Sequence, residues 1–232
     1  MALHRIVGRT RYEVGVSELA PGQAVPHEGY EVRSFPVEHR MAALGYALAE
    51  AARPGRFDPE VARRLGVPEG PMFAALQRGE EVQGSDGVVR PGDVMGEPRP
   101  GRAIAISGDT APCLATAEAS RGVQLLVHDG SFAEAEAQRA AETGHSTAGQ
   151  AAALARQAGV KMLALVHVSS RYNVAQVLEE ARALFENTIA PRDFDLVEIP
   201  FPERGQPRLL PNGARERREA PEPDPSKAIS SS

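Results

Sequence analysis

The chain has 232 residues and a net charge of -5 from 26 basic and 31 acidic side chains, so no global basic field advertises nucleic acid or anionic lipid. That length supports one domain or one and a half, and one cysteine, Cys113, admits no internal disulfide. No apolar run approaches the length of a bilayer span and Met1 to Val14 holds no block like a signal peptide, which makes a soluble, cytoplasmic protein the expectation.

Along the chain, Val32 to His39 alternates as a short extended segment and Ala43 to Glu50 follows as a second strand, which predicts an antiparallel pair. From Arg53 to Gly101 prolines and glycines dominate, giving an arm, 53–102, rather than a core. Within it one short helix is predicted, with Asp58 as N-cap, Pro59 at the first position and Gly66 as the stop. Strands at Ala103–Ser107, Val123–Val127 and Met162–Val166 then alternate with helical patterns near 113–121, 132–143, 147–158 and 174–185, and a last strand lies near 194–199. Such alternation implies an α/β architecture. A disordered tail is predicted for 203–232, where Pro, Arg, Glu and Ser prevail.

The acidity is concentrated in residues 103–202, with seven basic against twelve acidic side chains, which suits a cation site and equally an ordinary solvated surface. His39, Asp109 and His167 each follow a predicted strand, where loops gather side chains from distant parts of a chain onto one rim. Imidazole and carboxylate are donors that zinc accepts. Taken singly, each has a plainer account: a lone strand-end histidine is commonly a surface or capping residue, and an aspartate in Gly-Asp-Thr is commonly a turn or helix cap.

Several strings occur in a fixed order: Val37-Glu38-His39-Arg40 with Leu44-Gly45-Tyr46, Ile106-Ser107-Gly108-Asp109-Thr110, His128-Asp129-Gly130-Ser131-Phe132, Gly144-His145-Ser146-Thr147-Ala148, and His167-Val168-Ser169-Ser170-Arg171-Tyr172. Together, over about residues 30–200, they resemble ribonuclease Z, the transfer-RNA 3'-processing endonuclease of the metallo-β-lactamase superfamily. Leu65-Gly66-Val67-Pro68-Glu69-Gly70-Pro71 and the following Leu76, Gly79 and Asp86-Gly87 resemble that family's protruding exosite.

The resemblance implies a partial metallo-β-lactamase αββα sandwich over 1–202, with the exosite-like arm inserted at 53–102. It also implies a two-zinc phosphodiesterase that removes the 3' trailer of precursor tRNA and works as a homodimer. His39 would ligate one zinc, His167 the other, and Asp109 would bridge them, since paired cations about 3.5–4 Å apart suit phosphodiester hydrolysis. His145 would be the proton donor at the scissile phosphate; its plainer account is a neighbour of Ser146 capping the next helix.

The family's His-x-His-x-Asp-His string, which supplies three more ligands and the general base, is absent: the histidines before His39 are His4 and His27, isolated from one another. The expectation is therefore a chain that begins after the first third of the family's domain, holds at most one zinc weakly, and is catalytically deficient alone. A non-catalytic remnant, or an interaction or tRNA-binding module of the same family, is the alternative. Arg53, Arg56, Arg63 and Arg64 are candidates for a local basic face on the arm, or are simply solvated.

Overall fold

A computed structural model describes residues 15–212. Its centre is a seven-stranded sheet built from β1 (Ala24–His27), β2 (Tyr30–Pro36), β3 (Leu44–Glu50), β6 (Ala103–Ile106), β7 (Leu125–Asp129), β8 (Met162–Val166) and β9 (Thr188–Ile189), in that spatial order. The first four strands are antiparallel neighbours and β6 to β9 run parallel. The parallel half brings the carboxyl ends of β6, β7 and β8 to one edge, as the alternation of strands and helices requires.

Side chains alternate across these strands, so the two faces carry separate clusters. On one face Ala105, Leu126, Leu163 and Leu165 pack against α6 (Ala148–Ala158) and α7 (Val174–Arg182). The helix α6 presents Ala148, Ala151, Ala152, Ala155 and Ala158, whose small side chains let its axis lie close to the sheet. On the other face Leu125, Met162, Ala164 and Ile189 pack against Val197, Ile199 and Leu209, and among the described residues no helix contributes to that cluster. Toward β3 this second face opens: Tyr46 and Ile106, register partners on adjacent strands, are 41% and 43% exposed. The α/β class is as expected, with the longer helices and one sheet arranged as half of a sandwich.

The ends of the helices follow their sequence signals. Asp58 Oδ1 accepts from the backbone N–H groups of Glu60 and Val61 to start α1 (Pro59–Arg64). Thr147, rather than Ser146, caps α6 in a reciprocal pair with Gln150. After α4 (Leu114–Ala119), Gly144, at φ +74°, ends α5 (Ala137–Thr143), a left-handed position that suits glycine.

Three expectations change. The arm holds α1 together with α2 (Pro71–Gln77), α3 (Pro91–Val94) and the hairpin β4 (Val82–Gln83) and β5 (Val88–Val89), closed on a cluster of Ala62, Val67, Leu76, Val89 and Val94. Proline at the first position of each of these helices starts a turn where its missing N–H costs nothing, so proline density marked short helices rather than their absence. The segment near 194–199 is strand β10 (Leu196–Glu198), but it leaves the main sheet and pairs with β11 (Arg208–Leu210), while the two-residue β9 takes the edge beside β8. The boundary at 203 also moves, because Pro202–Arg204 forms a turn of 3-10 helix and β11 belongs to the fold; the remainder of the predicted tail, 213–232, lies outside the described residues.

Candidate functional site

The carboxyl ends of β6, β7 and β8 each deliver chemistry to the same edge. Beyond β6, Gly108 at φ +65° turns the chain so that Asp109 projects at the rim. Asp129 ends β7 with Ser131 two residues on, and beyond β8 stands His167, held at φ +61°. A bulky residue rarely adopts that left-handed backbone conformation, and strain of this kind gathers at functional sites. His145 arrives from the loop between α5 and α6. One ligand atom from each of Asp109, Asp129, His145 and His167 lies within 4.8 Å of the others.

Asp129 is fully buried and its carboxylate is saturated. Oδ2 accepts from the backbone N–H of Thr110 at 3.0 Å and from His145 Nδ1 at 2.7 Å. Oδ1 accepts from the backbone N–H of Ser131 at 2.8 Å and from its hydroxyl at 2.5 Å. Having given its hydrogen to Asp129, the Ser131 oxygen accepts from His167 Nδ1 at 2.8 Å. A carboxylate with four such donors has nothing left for a metal ion, so the geometry makes Asp129 an orienting group.

The same bookkeeping of protons fixes all three histidine tautomers. His39 donates Nδ1–H to the carbonyl of Gly144 at 2.8 Å, His145 donates Nδ1–H to Asp129, and His167 donates Nδ1–H to Ser131. Among the described residues none of the three makes a hydrogen bond at Nε2. His39 is carried here by the bridge between Glu38 and Ala111, with the Glu38 N–H bonded to Thr110 Oγ1 at 3.1 Å. Its ring lies edge-on to His145 at 5.0 Å between centroids, and His145 and His167 stand 5.2 Å apart. At Gly144 an added Cβ would sit 3.1 Å from His39 Nδ1, so glycine also keeps that hydrogen bond accessible.

Of the residues singled out from sequence, Asp109, His145 and His167 converge with Asp129, and His39 stands beside them without joining the four-membered group. Asp109 and His167 are half exposed, with side-chain exposures of 48% and 53%, and their nearest ligand atoms are 3.5 Å apart. Ser146 does not cap α6; its hydroxyl donates to the Thr110 carbonyl at 2.7 Å and so ties the His145 loop to the Asp109 loop. Asp129 and Ser131 lay in one of the quoted strings, yet sequence gave no sign of which acid was buried. Their neighbour His128 is buried too; burial lowers its pKa, its Nδ1 donates to the Asp129 carbonyl at 2.8 Å, and its Nε2 meets no partner among the described residues.

The chain is 53% identical over 193 residues to a ribonuclease Z of Methanosarcina acetivorans, covering 82% of this chain and 63% of that protein. It is 48% identical over 204 residues to a ribonuclease Z of Myxococcus xanthus, covering 86% and 66%. This chain belongs to the ribonuclease Z family. It spans less than two thirds of the length of these ribonuclease Z relatives. Among solved structures, human tRNase Z, short form, is similar at a TM-score of 0.47 and 21% identity, over 76% of this chain and 46% of that one. No protein-family model matches. Among the described residues no helix is long and apolar enough to cross a membrane.

Of the four arginines considered from sequence for a basic face on the arm, Arg53 and Arg63 are held in ion pairs. Arg63 pairs with Glu60 and Glu69, Arg78 with Glu80, and Arg90 with Glu81. Arg53 turns away into the neck of the arm, where it pairs with Glu203. Of the four candidates, Arg56 and Arg64 have no ion pair among the described residues.

Proposed function

We propose that this chain supplies part of the active centre of a zinc-dependent endoribonuclease that removes the 3' trailer of precursor tRNA, and that its 232 residues alone turn over poorly. The carrying observation is the convergence of Asp109, Asp129, His145 and His167 at one rim of the sheet. Asp109, His167 and His39 are the residues that would hold zinc, because among the described residues neither histidine makes a hydrogen bond at Nε2, and carboxylate oxygen and imidazole nitrogen are donors zinc accepts. Bound there, zinc supplies Lewis-acid polarisation of the phosphoryl group.

Asp129 holds the Nδ1–H of His145, which leaves Nε2 to take up a second proton from solvent, and the side chain is still 16% exposed toward the opening. Delivered to the departing 3' oxygen, that proton turns a poor leaving group into a good one. None of the six histidines forms a His-x-His-x-Asp-His string, so three further ligands and a general base are not supplied by these residues. A catalytic zinc takes three protein ligands plus water, so three side chains serve one ion, weakly, better than two. A homodimer in the cytoplasm completes the reading; the open apolar face at Tyr46 and Ile106 supports a further protein layer there.

Complementation tests the proposal. The purified chain with zinc should give little cleavage of precursor tRNA, and adding the part of a ribonuclease Z that carries His-x-His-x-Asp-His should restore 3' cleavage that is lost with Asp109→Ala or His145→Ala in this chain. A mixture that assembles and stays inactive overturns the assignment. Multiple turnover by the chain alone, abolished by Asp109→Ala, overturns the claim of deficiency.

A further inference from the structure

The arm's apolar cluster of Ala62, Val67, Leu76, Val89 and Val94 shares no residue with the two clusters that flank the sheet. What joins arm to sheet is a two-stranded neck, in which the backbones of Arg53 and Arg99 exchange hydrogen bonds at 2.8 Å in both directions. The neck strands approach closely: a Cβ on Gly55 would meet the Gly96 carbonyl oxygen at 1.8 Å, so only glycine fits there. By itself a two-stranded ribbon twists and bends easily, which leaves the pose of what it carries undetermined.

A third segment crosses this neck. Glu203, from the turn after β10, takes hydrogen bonds from Arg53 Nη2 at 2.8 and 2.9 Å and from Arg99 Nη1 at 3.3 Å, one arginine from each strand of the neck. Two residues earlier, the Phe201 ring lies 3.6 Å beneath the Arg53 guanidinium and 4.9 Å from that of Arg102. Arg102 is itself tied to Glu50 at the end of β3 and to the Ile199 carbonyl at 3.3 Å. The ion pair is sheltered, with 19% and 24% of the two side chains exposed, and Arg53 Nε is buried without a partner among the described residues. An isolated surface ion pair would contribute little, but here one carboxylate and one ring gather three arginines, from both neck strands and from the residue before β6.

We propose that Phe201 and Glu203 are positioning residues that clamp the neck and set the pose of the arm relative to the metal-site rim. Phe201 provides the surface on which the guanidinium of Arg53 lies flat, and Glu203 joins the outgoing strand to the returning one. Among the described residues Phe201 is not one of the apolar side chains packed on the arm's own cluster, so the clamp governs orientation and leaves folding of the arm to its core. Its importance for RNA rests on the function proposed above; the clamp itself does not.

Double electron–electron resonance on the full chain decides it, with spin labels at Gln83→Cys in the arm and Arg156→Cys in α6 on a Cys113→Ser background. The parent should give one narrow distance distribution. Phe201→Ala with Glu203→Gln should widen it at least about twofold, as expected when only a narrow neck joins two bodies, while amide protection in β8 and in α2 stays unchanged. Glu203→Arg should widen it as well, and Arg53→Glu added to Glu203→Arg should narrow it again. A width unchanged by Phe201→Ala with Glu203→Gln overturns the proposal. So does widening that comes with lost protection in β8, since the segment would then be serving the sheet. Loss of tRNA affinity is a separate measurement: a normal affinity with a widened distribution would count against the RNA reading of the arm and leave the clamp standing.

Discussion

Oδ2 of Asp129 accepts the Nδ1 proton of His145 at 2.7 Å, on a carboxylate whose other oxygen is filled by Ser131 and whose side chain is wholly enclosed. This pairing sets which nitrogen of His145 faces the rim. It also places a negative charge beneath the site without offering it to a metal.

Removing that charge should therefore cost stability as well as orientation. Asp129→Ala leaves the Thr110 N–H, the Ser131 N–H and hydroxyl, and His145 without their acceptor, and should destabilise the chain by about 2–5 kcal/mol in urea melts. A loss under about 0.5 kcal/mol would show that water replaces the carboxylate freely.

Ser131→Ala tests the tautomer of His167. Without the hydroxyl at 2.8 Å, Nδ1–H loses its acceptor. Nitrogen-15 spectra should then show Nε2–H appearing on His167, and zinc affinity should fall by about 10- to 100-fold, as when the groups that orient a ligand are removed. Unchanged spectra would assign the tautomer to another contact.

Zinc analysis after desalting should find at most one ion per chain, lost in Asp109→Ala and in His167→Ala. Two tightly retained ions per chain would reveal ligands beyond His39, Asp109 and His167.

The neck carries its own acid response. Hydrogen bonding from Arg53 brings the Glu203 carboxyl from its ordinary 4.5 down to about 2, and hydrogen bonding from Arg102 brings Glu50 from 4.5 to about 2. Because both folded values are depressed, the stability they contribute is fully present above the unfolded value of 4.5 and is lost progressively as pH falls toward 2. Carboxyl carbon shifts should show both groups ionised at pH 3.5; a midpoint near 4.5 for Glu203 would mean the clamp is open in solution.

The two sheet faces should respond unequally to truncation. Leu163→Ala, at a fully buried position under α6, should cost about 2–5 kcal/mol. Ile106→Ala, on the open face at 43% exposure, should cost well under half of that.

Local signals in the sequence were sufficient wherever the deciding physics lies within a few residues. The cap at Asp58, the left-handed glycines at Gly144 and Gly159, the antiparallel pair β2–β3 and the strand Met162–Val166 follow from hydrogen bonding and side-chain alternation that neighbouring residues settle among themselves. The ordered strings carried the family, and of the residues they pointed to, Asp109, His145 and His167 meet at one rim while His39 stands beside them. Only the folded chain decided that Asp129 is the enclosed acid and Asp109 the exposed one, because burial of Asp129 depends on loops 16 and 19 residues away that close over it. The same holds for the neck: nothing near Arg53 in the chain indicates that its partner is Glu203, 150 residues later. That pairing required β10 to leave the main sheet and carry Phe201 and Glu203 to the foot of the arm, a choice made by the apolar cluster of Leu125, Met162, Val197 and Leu209.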